Sequence, residues 1–322
     1  MNLIAKIHLL SDYRQMDSAY WGMGTSKNGL VYFALCTHTP GKSATFFSFN
    51  YNKNEIKPIF TLDKYIKVPK LSLSQGKVHT PIFEGRDKSL YFGTHFAYPN
   101  GEPQDVTYEG GHIISYNPQK NKITDLGIAL PNEGILSLIL DSKRMILYML
   151  TAPSFNFVVY DINQSKFYDC GRITKKGSIC RSLTLDNDGN VYGSFEKNKI
   201  FKFDRKLFKI KYLKTKLPTS NENIKEWSDK TRNGVNNIGR NIWRTALWNN
   251  NLQKIFGIHG GTSKLFEYDP NKEAVHELSF IGANIDENNP EVIYPTLSLS
   301  NIKIHYFTYL PQDFLIMLDL VK

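Results

Sequence analysis

Three histidines, His79, His95 and His112, are the residues of this sequence best suited to chemistry near neutral pH. The unperturbed pKa of histidine lies near neutrality, so an imidazole can take up and release a proton during a reaction. Neutral imidazole is also a common metal ligand, and Glu133 would supply a fourth ligand. The residue types leave both roles open. We therefore expect either acid–base chemistry or a site for Mn, Zn, Ca or Mg.

Further side chains have the types needed to hold a polar substrate. Arg181 and Arg244 could neutralise a carboxylate or an enolate-like intermediate, and His259 or Tyr309 could donate a proton to a leaving oxygen. Each could also be structural, since the two arginines would suit buried carbonyl groups and Glu133 would suit a turn. We expect substrate-binding roles for Trp21, His38, Glu133, Trp243 and Tyr294.

Several well-known catalytic motifs are missing from the sequence. It contains no phosphate-binding P-loop, no dinucleotide-binding glycine fingerprint, no H-E-x-x-H zinc motif and no G-x-S-x-G nucleophile elbow. We therefore expect no nucleotide cofactor and no serine-hydrolase chemistry.

The elements that must position these residues form a repeat. Each copy has an apolar strand, a turn rich in Asp, Asn, Lys or Gly, a strand with an aromatic residue near its start, and a third strand that often closes on Tyr-Asp or Tyr-Asn. Six copies occur, with a period of about 54 residues. They begin near residues 18, 78, 133, 179, 241 and 292.

This repeat predicts an all-β fold, a single β-propeller domain over residues 1–322 with six or seven four-stranded blades. The last copy ends after its third strand, and LIAKIHLL at 3–10 would supply the missing outer strand. Closing the ring with N- and C-terminal strands leaves no free sheet edge, which is why such rings are stable. The polar, Asn-rich stretch at 219–239 is expected to be an insertion.

Propeller geometry gathers the histidines at one rim. In a blade the first strand starts, the second ends and the third starts on the same face, and His79, His95 and His112 take these three positions in one copy. His38 and His259 end the second strands of other copies. The opposite strand ends carry turn residues alone. We expect the rim also to carry Trp21, Glu133, Arg181, Trp243, Arg244, Tyr294 and Tyr309.

The composition is that of a soluble folded protein, with 41% hydrophobic residues and a net charge of +10. The first residues lack the apolar core of a signal peptide, and no stretch approaches the roughly 18 apolar residues of a spanning helix. Cys36, Cys170 and Cys180 form no C-x-x-C pair, which favours a reducing compartment. We expect a cytoplasmic protein that does not bind membranes.

The excess positive charge is concentrated between Lys197 and Lys216, where nine Lys or Arg residues accompany one acidic residue, Asp204. Lysines on an outer strand discourage edge-to-edge aggregation, which is the favoured interpretation. Alternatively, the stretch binds a polyanion such as nucleic acid or an acidic glycan. Because no nucleic-acid motif accompanies it, a nucleic-acid partner is not expected.

The copy that contains HTPIFEGRDKSLYFGTHF, YEGGHIISYNP and DLGIALPNEGIL resembles a group of bacterial β-propellers, mostly of unassigned function. The chain is more distantly similar to propeller polysaccharide lyases such as ulvan lyases and oligogalacturonate lyase. In these lyases histidines on the channel face, with tyrosine or arginine, remove the C5 proton of a uronic acid, and oligogalacturonate lyase holds a divalent metal through histidines. The resemblance implies a histidine-rich rim of the same general type, without a residue-by-residue match to the lyases' catalytic set.

We therefore expect an enzyme that acts on a small polar or oligosaccharide substrate at the channel mouth, a lyase that performs β-elimination with rim histidines and arginine or metal assistance. One alternative is a non-catalytic propeller that binds a protein or polyanion. A further alternative is a biosynthetic isomerase or cyclase that uses the same histidines as acid and base.

Overall fold

The computed structural model describes residues 10–39, 41–69, 72–97, 107–175, 178–218, 241–260, 264–280, 296–299, 304–309 and 315–320. The chain divides into two compact units, Met1–Leu136 and Ser137–Lys322. Over the described ranges, no helix is long and apolar enough to cross a bilayer.

The first unit contains two four-stranded antiparallel sheets. The strands of its first sheet, in spatial order, are β1 (Met23–Thr25), β2 (Val31–Leu35), β3 (Thr45–Asn50) and β4 (Glu55–Thr61). Those of its second sheet are β5 (Phe83–Glu84), β6 (Leu90–Gly93), β7 (His112–Asn117) and β8 (Lys122–Ile128). Two short 3₁₀ turns, Ser11–Tyr13 and Leu62–Lys64, flank the first sheet.

The second unit contains the remaining sheets, although β9 starts just before the boundary. One sheet comprises β9 (Gly134–Asp141), β10 (Ile146–Ala152), β11 (Asn156–Asp161) and β12 (Lys166–Arg172). The next comprises β13 (Thr184–Leu185), β14 (Val191–Phe195), β15 (Lys199–Asp204) and β16 (Lys209–Lys216). A third comprises β17 (Trp243–Asn249), β18 (Lys254–His259), β19 (Lys264–Asp269) and β20 (Ala274–Phe280). Three strands follow, β21 (Thr296–Leu299), β22 (Ile304–Tyr309) and β23 (Leu315–Leu320).

These sheets confirm the all-β prediction. Each of the first five predicted copies forms one four-stranded antiparallel sheet, and the last copy forms three strands, as its length predicts. Sheets of this form are consistent with propeller blades. Ring closure and a single domain over 1–322 stay predictions. Residues 3–9 of the proposed closing strand and the proposed insertion at 219–239 lie outside the described residues.

Stacked aromatic rings form much of the core of each unit. In the first unit the Phe46 ring stacks on Phe60 and on Phe92, with 5.0 Å between centroids in both pairs. In the second unit Phe157 packs on Phe203 at 5.0 Å. Since strand side chains alternate between faces, these rings come from one face of each strand.

The turn between the third and fourth strands has the same construction in all five four-stranded sheets. The third strand ends on Asn or Asp, whose Oδ1 accepts a hydrogen bond from the backbone N–H three residues later. The residue after that donor has a positive φ. These residues are Asn54 (51°), Asn121 (45°), Ser165 (51°), Phe208 (50°) and Glu273 (47°).

Candidate functional site

His79 and His95 lie side by side in the first unit. An isolated antiparallel bridge joins Lys77 to His95 just beyond β6, and His79 lies between that bridge and β5. The two imidazole rings meet edge to face with centroids 4.9 Å apart. Both are buried, with 5% and 7% of their surface exposed. The propeller register therefore brings together two of the three predicted rim histidines.

Beside them Asp17, His38 and Tyr20 form a hydrogen-bonded chain. Asp17 accepts a hydrogen bond from the His38 backbone N–H at 3.0 Å, and its Oδ1 lies 2.9 Å from His38 Nδ1. His38 Nε2 in turn lies 3.4 Å from the Tyr20 hydroxyl. Burial raises the pKa of Asp17, but its hydrogen bonds with His38 outweigh this and leave the pKa below the usual value.

The ionised Asp17 carboxylate fixes the direction of this chain. It accepts the proton on His38 Nδ1, so Nε2 is left as the acceptor for the Tyr20 O–H. The arrangement resembles the chains that activate nucleophiles and bases in enzymes, in which a carboxylate orients the imidazole. Hydrogen bonds in such chains are often long before substrate binds and tighten in the reacting complex.

Lys77 places positive charge over the same tyrosine. Its Nζ lies 5.0 Å from the centroid of the Tyr20 ring. The same ring also packs against His79, with 4.3 Å between the ring centroids. Tyr20, His38 and Lys77 are all partly exposed. We call Asp17, Tyr20, His38, Lys77 and His79 the Tyr20 cluster. It combines a proton-transfer chain with a cation at the surface.

His95 packs against Gly134 and hydrogen-bonds to the backbone of Phe96. Its Nδ1 donates to the Phe96 carbonyl at 3.0 Å. The backbone of Gly134 lies flat against the ring, and a Cβ there would stand 2.6 Å from His95 Cδ2. Glu133, the neighbour of Gly134, is buried. These contacts fix the position of His95.

His112, for which a catalytic or metal-binding role was predicted, is held between two carboxylates, and that role stays a prediction. Its Nδ1 lies 2.8 Å from Asp125 Oδ2 and its Nε2 lies 3.1 Å from Glu109 Oε1, so both ring nitrogens are engaged. Burial lowers the pKa of His112, but the two carboxylates outweigh it and raise the pKa above 6.5. Two other sheets have a side-chain hydrogen bond at the equivalent place between their third and fourth strands, also joining residues 13 apart. The pairs are Asn156–Asp169 and Lys264–Glu277.

The predicted metal site does not assemble as a cluster in the described part of the chain. There, no three His, Cys, Asp or Glu side chains are grouped so that they could hold a metal ion. His112 is committed to its two carboxylates. The metal therefore stays a prediction that rests on the sequence alone.

The remaining candidates belong to the second unit. Arg181 follows the Ile179–Phe195 bridge and Arg244 lies in β17; both are partly buried. Tyr309 is the last residue of β22. Tyr294 lies outside the described residues, while Trp21 is partly exposed in the first unit.

Trp243 and His259 are both buried in the second unit. Trp243 was predicted to bind substrate, but its indole is fully buried and its Nε1 donates to the Ser182 carbonyl at 2.8 Å. His259 Nε2 donates to Asn198 Oδ1 at 2.7 Å. Burial, helped by the charge of Lys264, lowers the pKa of His259 to about 4, so the ring is neutral.

Sequence reasoning missed Asp17, Tyr20 and Lys77, although the repeat contains a signal for Tyr20. Tyr20 follows the bridging residue Ser18 by two positions, as His79 follows the bridging residue Lys77. Tyr20 is therefore the counterpart of His79 in the preceding copy. Comparing the copies position by position would have identified it.

A cavity of about 360 Å³ lies elsewhere in the first unit. It is bordered by Asn28 in the β1–β2 turn and by Tyr116, Pro118 and Asn121 around the β7–β8 turn. These turns are at the opposite strand ends from His79 and His95. The cavity contains no histidine or carboxylate, so the chemistry favours the Tyr20 cluster as the candidate site.

Comparisons with known proteins show likeness of fold alone. No family model and no curated protein matches the chain. A protein from Lactobacillus plantarum superposes with a TM-score of 0.55 at 11% identity over 91% of this chain and 82% of its own. The extracellular domain of a hybrid two-component system from B. thetaiotaomicron gives 0.53 at 14% identity over 90% of this chain and 34% of its own. Streptogramin B lyase superposes with a TM-score of 0.47 at 14% identity over 90% of this chain and 91% of its own, and this TM-score is too low to support an argument about activity.

Proposed function

We propose that the protein is a lyase that eliminates across a bond next to a carboxylate in an anionic, carbohydrate-like substrate. The observation that carries the proposal is the chain Asp17–His38–Tyr20, which ends on a partly exposed tyrosine whose ring lies near a lysine ammonium. Such a chain can move one proton to and from a substrate, and the ammonium can bind the carboxylate.

The reaction begins with removal of a proton from carbon. Tyr20 passes its hydroxyl proton to His38 Nε2, and the resulting phenolate takes the proton from the carbon next to the substrate carboxylate. Asp17 stabilises the imidazolium that forms on His38, in the way that a carboxylate supports histidine in other proton-transfer chains. Lys77 neutralises the carboxylate while negative charge spreads into it, which lowers the barrier to forming the enolate-like intermediate.

The intermediate collapses to an alkene. Its electron pair forms the carbon–carbon double bond, the bond from the β carbon to oxygen breaks, and the leaving oxygen takes the proton from Tyr20. His38 then returns its proton to Tyr20, so the enzyme is regenerated and no other reactant is consumed. His79 packs against the Tyr20 ring, and His95 in turn packs against His79.

The test is a screen of uronate polymers, including polygalacturonate and ulvan, for new ultraviolet absorbance of the unsaturated product. Tyr20→Phe removes the hydroxyl and is expected to lower kcat by at least about 100-fold, the usual effect of losing an acid–base group. Tyr51→Phe, at a tyrosine that is 63% exposed in the same unit, is the matched control and should keep full activity.

Two results would refute the proposal. One is a wild-type protein that forms no alkene from any uronate polymer, and the other is a Tyr20→Phe variant that turns over as fast as Tyr51→Phe. Conversion without an alkene would instead indicate an isomerase or cyclase that uses the same proton transfer.

A further inference from the structure

Phe208 is unusual among the five equivalent turn residues. Its φ of 50° lies in the left-handed region, where the counterparts in the other sheets are Asn, Asn, Ser and Glu. Side chains that are bulky and apolar are rare in this conformation because of steric crowding with the backbone. A costly conformation retained in a surface turn is a reason to look for function there.

Phe208 and Tyr212 present fixed aromatic rings at the surface of the β15–β16 hairpin. They are 48% and 55% exposed. Phe208 is held by edge contacts to Tyr168 and Phe203, at centroid distances of 5.4 and 5.2 Å. The Tyr212 hydroxyl donates to the Ile173 carbonyl at 3.1 Å. Because both rings are already held in place, stacking on a ligand costs their side chains little conformational entropy.

The same hairpin concentrates lysines that repel one another. In the pairing of β15 with β16, Lys202 stands opposite Lys211, and Lys199 opposite Lys216. Like charges directly opposite each other destabilise a sheet. Among the nine Lys and Arg residues of the basic stretch 197–216, all within the described ranges, Lys211 is the one whose side chain forms an ion pair, with Asp204 at 2.8 Å. A bound polyanion would relieve this repulsion.

We propose that the β15–β16 hairpin binds single-stranded nucleic acid. Exposed aromatic rings interleaved with cations are the features by which proteins hold such strands, the rings stacking on bases and the lysines contacting phosphates. A duplex keeps its bases stacked internally and cannot offer them to the rings. An acidic glycan can place a C–H face on an aromatic ring, so it is distinguished by the polygalacturonate measurement below. The sequence carries no nucleic-acid motif, and the exposure of the two rings becomes visible only in the structure.

The test measures the fluorescence anisotropy of a labelled oligothymidylate with the full chain at several salt concentrations. Phe208→Asn introduces the residue that two of the equivalent turns carry, so it removes the ring and relieves the positive φ. We expect affinity to fall by about fivefold or more, the loss of one stacked base, while thermal stability is unchanged or higher. The matched control is Leu252→Asn, at an exposed apolar side chain in the β17–β18 turn, and it should bind as the wild type does.

Charge is tested separately. Lys209→Glu with Lys214→Glu is expected to reduce the slope of log affinity against log salt by about 1.4, because two phosphate contacts are lost. The matched control is Lys120→Glu with Lys122→Glu, the same charge change at exposed residues of the β7–β8 region. This control should keep the wild-type slope.

Binding of inorganic polyphosphate distinguishes the contribution of base stacking from that of phosphate contacts. This polymer carries phosphates but no bases, so Phe208→Asn should leave its binding unchanged. The proposal is overturned if the wild type fails to bind oligothymidylate at low salt, if Phe208→Asn binds it normally, or if the Lys120 and Lys122 control loses as much affinity. It is also overturned if polygalacturonate binds more tightly than oligothymidylate and Phe208→Asn weakens the binding of both equally, because the ligand would then be an acidic glycan.

Discussion

The hydrogen bonds of His112 with the Asp125 and Glu109 carboxylates should make the stability of the protein depend on pH. Each charge-assisted hydrogen bond contributes about 1.5–3 kcal/mol, and the lower end applies because the Asp125 and Glu109 side chains are 29% and 22% exposed. Asp125→Asn should therefore lower the free energy of unfolding by about 1.5 kcal/mol at about pH 6, where His112 is charged.

The sign follows from the directions of the two pKa shifts. Because the pKa of His112 is raised above 6.5, its contribution is complete below that value and is lost as the pH rises through the folded-state pKa. Because the pKa of Asp125 is lowered from 3.8, chiefly by His112 against the effect of burial, its contribution is lost only in acid. At about pH 9 the cost of Asp125→Asn should fall to about 0.5 kcal/mol or less, since His112 is neutral.

The assay is urea unfolding of each variant at both pH values. Asp169→Asn is the matched control, because Asp169 accepts its hydrogen bonds from the neutral Asn156 amide at 3.2 Å in the equivalent position of another sheet. Its cost should be the same at both pH values. An Asp125→Asn cost that does not change with pH would refute the assignment of a charged His112.

Three further predictions concern packing and one more histidine. Gly134→Ala should cost about 1–3 kcal/mol in urea unfolding, since the new Cβ would overlap the His95 ring. Trp243→Ala should cost about 3–5 kcal/mol by the same measurement, because it leaves a cavity and an unpaired Ser182 carbonyl. The pKa of His259 is lowered to about 4, so its contribution is present above 6.5 and is lost as the pH falls. His259→Gln should flatten the acid side of the stability profile by up to about 3 kcal/mol, and an unchanged profile would contradict the neutral assignment.

The sheets could be predicted because their signals are local. Strand alternation and turn residues occupy a few consecutive positions, and the third strand of each copy ends on the Asn or Asp that caps the next turn, as at Asn117 and Asp161. A repeat then multiplies a weak signal over several copies.

The site could be predicted only as far as backbone register determines it. Register placed His79 beside His95, but it could not show that Asp17 and His38 direct a proton chain to Tyr20, which depends on side-chain rotamers. The two carboxylate partners of His112 were missed for the opposite reason. The tie at a spacing of 13 residues is visible in the sequence once Asn156–Asp169 is recognised as its counterpart.

The shortness of β5 has a consequence for how this molecule can evolve. Only Phe83 and Glu84 pair with β6 as a ladder, and upstream the Thr80 hydroxyl accepts the Gly93 N–H at 2.9 Å in place of a backbone group. Residues 77–82 are therefore joined to the neighbouring strand through this side-chain contact and the Lys77–His95 bridge. Val78, His79, Thr80 and Ile82 are buried, whereas Lys77 is partly exposed and its bridge uses backbone groups. A new substrate preference could thus arise by substitution of Lys77 at little cost in stability.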